Sequence, residues 1–279
     1  LALCTENFSD PGVDNGADYF DTKLYTGNGA STPGGSGGTQ NITGYGFSPD
    51  WLWIKDRGNG NHDHNLADTV RGAPNLLLSN DTRAEITDTT DGLTAFLSNG
   101  FTLGDNGSGT QSMELNKSGN TYVAWGWDAG SSTVSNSDGS ITASVRANQT
   151  SGISIISYTG TGSNGTIGHG LGKAPAAVIL KGRSFADNWR VHHKDLHATN
   201  AYQYYLMLES TNAISSQSSN FMTGNPDSST IKLGTDSAIN GSGRTMIAYA
   251  FAEIDGFSSF GSYTGTTANS VYPFIYTGF

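Results

Sequence analysis

Apolar residues in this chain occur in runs of about four to seven, separated by the turn formers Gly, Asn, Ser and Thr. No segment shows the 3.6-residue period of an amphipathic helix. Residues 51–54 (Trp-Leu-Trp-Ile) are apolar on both faces, which predicts a strand covered on both sides. Trp125 and Trp127 share one face of another run, with small residues on the opposite face. The pattern predicts an all-β fold.

The pattern also occurs twice. Residues 44–57 and 170–183 share a glycine turn, a proline, an apolar run and a basic pair, at an offset of about 126 residues. The later run 122–127 corresponds to 246–251. Tandem β-sandwich-like repeat domains are therefore predicted. The matched positions are Gly44, Gly46, Pro49, Lys55 and Arg57 in the first copy and Gly170, Gly172, Pro175, Lys181 and Arg183 in the second.

The repeat predicts the domain organisation. A chain that starts inside one module and ends inside another is expected to be a segment of a longer modular protein. The predicted units are the end of a preceding module with a linker (1–18), a first repeat (19–130), a connection (131–152), a second repeat (153–256), and a final segment (257–279) that either starts a third unit or supplies closing strands of the second.

Composition narrows the function classes. The net charge of −10 and the absence of a basic stripe argue against nucleic acid as a partner. Cys4 is the only cysteine, so an intrachain disulfide and a cysteine metal cluster are excluded. No apolar run approaches the roughly 20 residues of a membrane span, so membrane insertion is not expected. An acidic chain rich in Asn, Ser, Thr and Tyr suits an extracellular surface, or one that meets glycans.

Two histidine segments are the densest metal-type clusters. His192, His193, Asp195 and His197 would hold zinc if His193 and His197 shared a helix face, but the segment resembles a strand, in which His192 and His193 point apart. Residues 62–64 (His-Asp-His) are predicted to be an exposed loop. No metal site and no cofactor is predicted. A structural calcium stays open at the Asp/Asn/Gly clusters 105–107 and 136–139, which turn chemistry explains at least as well.

Catalytic signatures are weak. A glycosidase needs two facing carboxylates, and the second repeat does not reproduce the acidic residues of the first, since Gly182 replaces Asp56. A Gly-x-Ser-x-Gly elbow and a phosphate-binding loop are both absent. The chain is therefore predicted not to be an enzyme. The acidic candidates in the first repeat are Asp56, Asp63, Asp68, Glu85 and Asp91.

The duplicated basic residues are predicted to be structural. Lys55 with Arg57, and Lys181 with Arg183, share a strand face at i and i+2. The expected role is an ion pair at a strand end, with Asp68 and Asp195 as partners. A ligand-facing role is the alternative. Aromatic residues in the apolar strands are expected in the core, whereas exposed aromatic platforms are expected at Tyr45, Tyr202 and Tyr204.

Several phrases resemble a repeat module of long virion proteins of marine tailed phages, such as tail fibres. They are residues 25–29 (Tyr-Thr-Gly-Asn-Gly), 46–57, 68–72, 122–125 and, in the companion form, 169–175 with Asn188-Trp189, His193-Lys194 and 249–252. Residues 1–7 resemble the final strand of a SPRY or concanavalin-like module. The resemblance covers almost the whole chain and brings no catalytic residues. It implies a virion protein.

The expected function is therefore a structural and adhesive segment of a phage fibre or other virion appendage that presents loops to a host-surface glycan. The alternatives are a capsid decoration or purely architectural virion protein, and a polysaccharide-degrading enzyme. Expected partners are other virion proteins or copies of the chain itself, with a homotrimer as one form. Recognition is expected where the copies differ, in the glycine loop 31–39 and in segments 62–64 and 192–205. The candidate recognition residues are His62, His64, His192, His197, Tyr202 and Tyr204.

Overall fold

The regular structure is almost entirely antiparallel β-sheet, so the predicted all-β class is confirmed. The computed structural model describes residues 11–30, 35, 37–58, 60–105, 115–217, 220–266 and 274–275. Among these, helical structure is limited to short pieces: 3-10 turns at Gly16–Asp18 and Ala201–Gln203, and the single-turn helix α1 at Ser237–Asn240. No helix in the described part of the chain is long and apolar enough to cross a membrane.

The first repeat contains a six-stranded sheet in the order β1-β9-β3-β4-β5-β6 and a three-stranded sheet in the order β2-β8-β7. The strands are β1 (Phe20–Thr26), β2 (Gln40–Thr43), β3 (Trp51–Asp56), β4 (Asn65–Asp68), β5 (Asn75–Leu78), β6 (Ile86–Thr87), β7 (Leu93–Leu97), β8 (Gly100–Leu103) and β9 (Thr121–Trp127).

The second repeat contains a six-stranded sheet in the order β10-β11-β12-β19-β14-β15, with two small two-stranded sheets, β13-β18 and β16-β17. The strands are β10 (Val134–Asn136), β11 (Ala143–Asn148), β12 (Ile153–Thr159), β13 (Gly165–Gly168), β14 (Ala177–Gly182), β15 (Arg190–His193), β16 (Tyr204–Tyr205), β17 (Ser215–Ser216), β18 (Thr230–Leu233) and β19 (Thr245–Phe251).

The duplication seen in the sequence is also a duplication of topology. In each repeat the last strand, β9 or β19, pairs on one side with the first strand, β1 or β12, and on the other with the buried Lys-containing strand, β3 or β14. In both copies the chain turns at a glycine after the first strand, and the same close backbone approach requires that glycine. A Cβ on Gly27 would lie 2.2 Å from the Lys117 carbonyl oxygen, and one on Gly160 would lie 2.4 Å from that of Gly241. Only glycine fits such an approach.

Two buried asparagines support these corners, and the sequence patterns did not reveal them. Asn116 Nδ2 donates to the Gly104 carbonyl at 2.7 Å, and Asn240 Nδ2 donates to the Gly234 carbonyl at 2.8 Å. Each amide side chain satisfies backbone groups that the turn would otherwise leave buried and unpaired.

The predicted boundaries can be compared with the strands. Residues 131–152, expected to be a connection, contribute β10 and β11 to the second large sheet. Their polar composition resembles a linker because only one face of β11 is buried. The Gly12 N–H donates to the Asp255 carbonyl at 2.7 Å, so the residues before β1 lie against the end of the second repeat. The first ten residues, and most of the final segment after 266, lie outside the described residues.

Each repeat is a sandwich of its large sheet on its small sheet. In the first repeat Leu52 and Ile54 of β3 face Phe101 and Leu103 of β8. In the second, the corresponding face of β14 and β19 packs on β13 and β18, with Ile231 and other side chains fully buried. Alternation along each strand sends these residues to one side of the sheet and leaves the other side for a second contact.

The second contact joins the two repeats. The outer faces of the two large sheets pack on each other through a third apolar cluster, in which Trp51 stacks on Tyr249 with ring centroids 4.7 Å apart. The prediction that β3 is covered on both faces is therefore confirmed. The repeats form layers of one structure, because the face that each repeat leaves uncovered is apolar and is buried by the other.

Candidate functional site

The contact between the large sheets is incomplete at its margin, where aromatic side chains stay half-buried. Trp51 pairs across the sheet with Trp127, and Trp53 pairs with Trp125. Trp51 is 1% exposed at the centre of the contact. Trp53, Trp125 and Trp127, further out on the same face, retain access to solvent. The margin thus exposes indole rings on a rigid sheet.

Five residues form what we call the aromatic surface: Phe20, Trp53, His64, Trp125 and Trp127. They enclose an open depression of about 370 Å³. The rings of Phe20 and Trp127 lie 4.9 Å apart, and the His64 ring meets Trp53 edge-on. An exposed apolar patch of this kind is typical of a binding site.

A second depression, the inter-sheet cleft, lies on the other side of Trp53 and Trp127. Its volume is about 430 Å³. Its far wall comes from the second repeat and from the turn after β19, and its lining is mainly apolar. Trp53 and Trp127 line both depressions. The wall residues include Ile179, Val191, His193, Phe251, Phe257 and Phe260.

His64 is held in a single tautomer. The Trp53 Nε1–H donates to His64 Nδ1 at 3.0 Å. An indole nitrogen only donates, so Nδ1 must be unprotonated and the proton lies on Nε2. Burial and the nearby Lys55 ammonium lower the pKa of His64, which favours this neutral form. The aromatic surface therefore has one fixed N–H donor, His64 Nε2–H, at its edge.

His62 lies in the same loop but has a different neighbour. Its Nδ1 is 2.6 Å from Asp56 Oδ2, and the same carboxylate oxygen accepts a hydrogen bond from Asn120 Nδ2. The Lys55 ammonium donates to the His62 carbonyl at 2.5 Å. These contacts fix the loop that carries His64 beside the aromatic surface.

The three histidines of the second cluster are not brought together. His192 is buried, and burial lowers its pKa to about 4. His193 points to the other face of β15 and lines the inter-sheet cleft, as predicted for a strand. His197 stacks on Tyr204 with ring centroids 4.9 Å apart. In the described part of the chain no three His, Cys, Asp or Glu side chains lie together as a metal site would need.

Of the three tyrosines expected as exposed platforms, Tyr45 is a clear error. It is 3% exposed, and its hydroxyl donates to the Ala124 carbonyl at 3.0 Å. A Cβ on Gly126 would lie 2.5 Å from this ring, so the ring fits against the sheet only because residue 126 is glycine. Tyr202 and Tyr204 are partly exposed but lie on the second repeat, apart from the aromatic surface.

The expected partners of the basic pairs are also wrong. Asp68 binds Arg71 and Tyr249, and the Asp195 backbone N–H donates to His193 Nδ1. The fully buried Lys181 instead donates to the backbone carbonyls of Thr82 and Asp187, at 3.0 and 2.9 Å.

The other basic residue of the second copy reaches the first repeat. Arg183 forms a double contact with Glu85, at 2.9 and 2.8 Å. In the first copy, Arg57 is exposed. The basic pairs therefore have different environments in the two repeats. The second pair, Lys181 and Arg183, connects the two repeats.

A buried polar network completes the contact between the repeats. Arg71 donates to Asp68, to Glu85 and to the Tyr249 hydroxyl, at 2.5, 3.1 and 3.2 Å. Glu85 in turn binds Arg183. In the sequence, the only sign of this network was the phrase 68–72, which was noted for its resemblance to the virion module. Its Arg71 is buried in the structure.

The acidic residues considered for catalysis are largely engaged in these contacts. Besides Asp56, Asp68 and Glu85, Asp63 lies 3.2 Å from Arg83 Nη2. None of the acidic candidates lines the aromatic surface. The calcium candidate at 136–139 is a turn in which Asn136 Oδ1 accepts the Asp138 N–H at 3.0 Å, and most of the other candidate, 105–107, lies outside the described residues.

The chain belongs to the DUF7483 family. The family model, described as a domain of unknown function, matches residues 15–279 and so includes both repeats. No curated protein and no solved structure matches the chain.

Proposed function

We propose that the chain is a non-enzymatic structural and adhesive segment of a phage fibre or other virion appendage, and that it attaches to a host-surface glycan through the aromatic surface. The observation that carries the proposal is the row of half-exposed aromatic rings on the rigid margin of the inter-repeat contact. The resemblance of the repeat phrases to virion proteins supplies the context.

The chemistry of the aromatic surface suits a sugar ring. Indole faces pack against the C–H face of a pyranose, and their rings are held by neighbours before a ligand arrives, so little ordering cost is added on binding. The His64 Nε2–H is a fixed donor for a hydroxyl group. With a net charge of −10, the protein suits neutral sugars better than strongly anionic ones.

Hydrolysis is disfavoured by the placement of the carboxylates. A glycosidase needs an acid and a base or nucleophile within about 5–10 Å of each other across the bound sugar. The lining of the aromatic surface contains no Asp or Glu among the described residues.

An architectural role is the second candidate, because a specific observation favours it. The two repeats are joined by a buried aromatic contact and a buried ionic network, which suits a rigid spacer. In that case the aromatic surface would be covered by another virion protein, and glycans would not bind.

Glycan-array binding of the purified chain tests the proposal, with Trp125→Ala as the principal variant. Loss of one stacking ring should lower the affinity about tenfold or more. Phe260→Ala, in the inter-sheet cleft alone, is the matched control and should bind like the wild type. Near-ultraviolet circular dichroism checks that both variants fold.

Four results are possible, and they separate the candidates. Glycan binding that depends on Trp125 supports attachment through the aromatic surface. Absence of any glycan binding by the wild type favours the architectural role. Release of reducing sugar from a bound polysaccharide would revive the enzyme, and binding that Trp125→Ala leaves unchanged would refute the site.

A further inference from the structure

The outer edge of β1 is an exposed edge of the large sheet in the first repeat. β1 ends its large sheet, so in the described part of the chain β9 is its only neighbouring strand. Leu24, near the middle of β1, is 63% exposed. A long uncovered edge is a template for another strand, and proteins rarely leave one without a use or a guard.

In the second repeat, another strand lies along the equivalent edge. β12 is the counterpart of β1, since both precede a Tyr-Thr-Gly corner and both pair with the last strand of their repeat. Along the outer edge of β12 lies β11, antiparallel, from Ser144 opposite Ser157 to Asn148 opposite Ile153. In the first repeat, the residues before β1 run along Asp255 instead. Within the described residues, the same edge is covered by a strand in the second repeat and has no strand beside it in the first.

The backbone of β1 offers hydrogen-bonding groups on this side. The Gly27 N–H donates to the Asn120 carbonyl, which places the odd-numbered residues of β1 in the hydrogen-bonded pairs with β9. The even-numbered residues therefore turn their N–H and C=O groups outward. These residues are Phe20, Thr22, Leu24 and Thr26.

Some of the outward groups have local partners within the chain. The Thr22 N–H donates to the neighbouring Asp21 Oδ1 at 2.6 Å, and the Thr26 carbonyl accepts from Gln40 Nε2 at 3.1 Å. Asp21 also binds Lys23, 2.5 Å away. Charged side chains of this kind often guard an edge strand. The spacing of these two charges, however, also makes the edge complementary to itself.

We propose that β1 is a homodimer interface, in which two copies of this chain pair antiparallel through β1 about a two-fold axis at Thr22. In this register Thr22 lies opposite Thr22 of the second copy, and Phe20 lies opposite Leu24. All of these residues have outward backbone groups, so each pair exchanges hydrogen bonds once the Thr22 N–H has left Asp21 Oδ1. The pairing is isologous and joins the two large sheets into one sheet across the dimer.

The side chains select this register. Asp21 of each copy lies opposite Lys23 of the other, on one face of the joined sheet, at non-hydrogen-bonded positions where side chains approach most closely. On the other face Leu24 packs beside Phe20 of the second copy, at the edge of the aromatic surface, and is itself removed from water. Moving the axis by one residue to Lys23 would place the two lysines opposite each other, which is unfavourable.

Charge variants test the pairing by sedimentation velocity and light scattering over a concentration series. The wild type should form a dimer. Asp21→Lys places only lysines across the axis and Lys23→Asp places only aspartates, so each variant alone should be monomeric. An equimolar mixture of the two variants restores both opposite-charge pairs and should recover the dimer mass. These side chains are partly exposed, so both variants should fold.

Cysteine cross-linking tests the register, in a Cys4→Ser background. Thr22→Cys should form a disulfide-linked dimer under oxidising conditions, because directly opposite residues lie about 5.5 Å apart at Cα. Leu24→Cys is the matched control and should not, because the two copies of residue 24 would be about 13 Å apart along the strands. Any of four results would overturn the proposal. The wild type could be monomeric, or the mixture of the two charge variants could stay monomeric. Neither charge variant could change the oligomer, or cross-linking could be equal at both positions.

Discussion

Arg71 provides the sharpest test of how the repeats are joined. Its guanidinium is fully buried and donates to Asp68, Glu85, the Tyr249 hydroxyl and the carbonyls of two neighbouring strands. Arg71→Leu keeps an apolar stem but leaves the Asp68 carboxylate buried with Tyr249 as its remaining side-chain donor. Removing one partner of a buried ion pair costs about 3–5 kcal/mol, which is a large part of the stability of a typical protein.

The free energy of unfolding, measured by urea denaturation with tryptophan fluorescence and circular dichroism, gives the size of the effect. Arg83→Leu is the matched control, because Arg83 makes its ion pairs with Asp63 and Asp81 while its side chain is 45% exposed. Exposed pairs contribute about 0–1 kcal/mol. Asp68→Asn combined with Arg71→Leu should recover part of the loss, since no charge is then stranded.

A small effect would refute this reasoning. If Arg71→Leu and Arg83→Leu cost the same, the buried network does not stabilise the contact between the repeats. If the double variant is less stable than Arg71→Leu alone, the cost comes from lost packing or lost hydrogen bonds, and the stranded charge is not its cause.

Three further predictions concern the core and the corners. Because burial lowers the pKa of His192 to about 4, only the unfolded state takes up the proton as the pH falls below about 6.5. The wild type should therefore lose about 3 kcal/mol more than His192→Gln between pH 7 and pH 4, and parallel stability curves would contradict this. Residues 15–130 expressed alone should bind a hydrophobic dye and self-associate, because the face around Trp51 loses its cover; a stable monomeric fragment would show that the repeats fold independently. Gly160→Ala should cost at least about 1–3 kcal/mol in urea denaturation, because its Cβ would meet a backbone carbonyl. Gly261→Ala, with open space around it, should change stability by less than about 0.5 kcal/mol, and equal costs would contradict the close-approach explanation.

The candidate site could be predicted only in part. The loop 62–64 was selected because it differs between the repeats, and its His64 does lie in the aromatic surface. The tryptophans were assigned to the core, which holds for Trp51 but only in part for Trp53 and Trp125. Alternation along a strand shows which side chains share a face. It does not show how far the opposite sheet extends over that face.

The sequence by itself determined the strand class, the duplication, and the double coverage of β3, because alternation and turn chemistry are local properties of the chain. Only the tertiary structure decided that the outer faces of the two large sheets cover each other. The deciding contacts join distant residues, as Arg71 and Tyr249 do across 178 positions. Such pairings depend on which surfaces remain apolar after each sandwich forms, and short-range patterns do not specify this. For the same reason the expected partners Asp68 and Asp195 were wrong, whereas the contact between Arg183 and Glu85 required the folded chain.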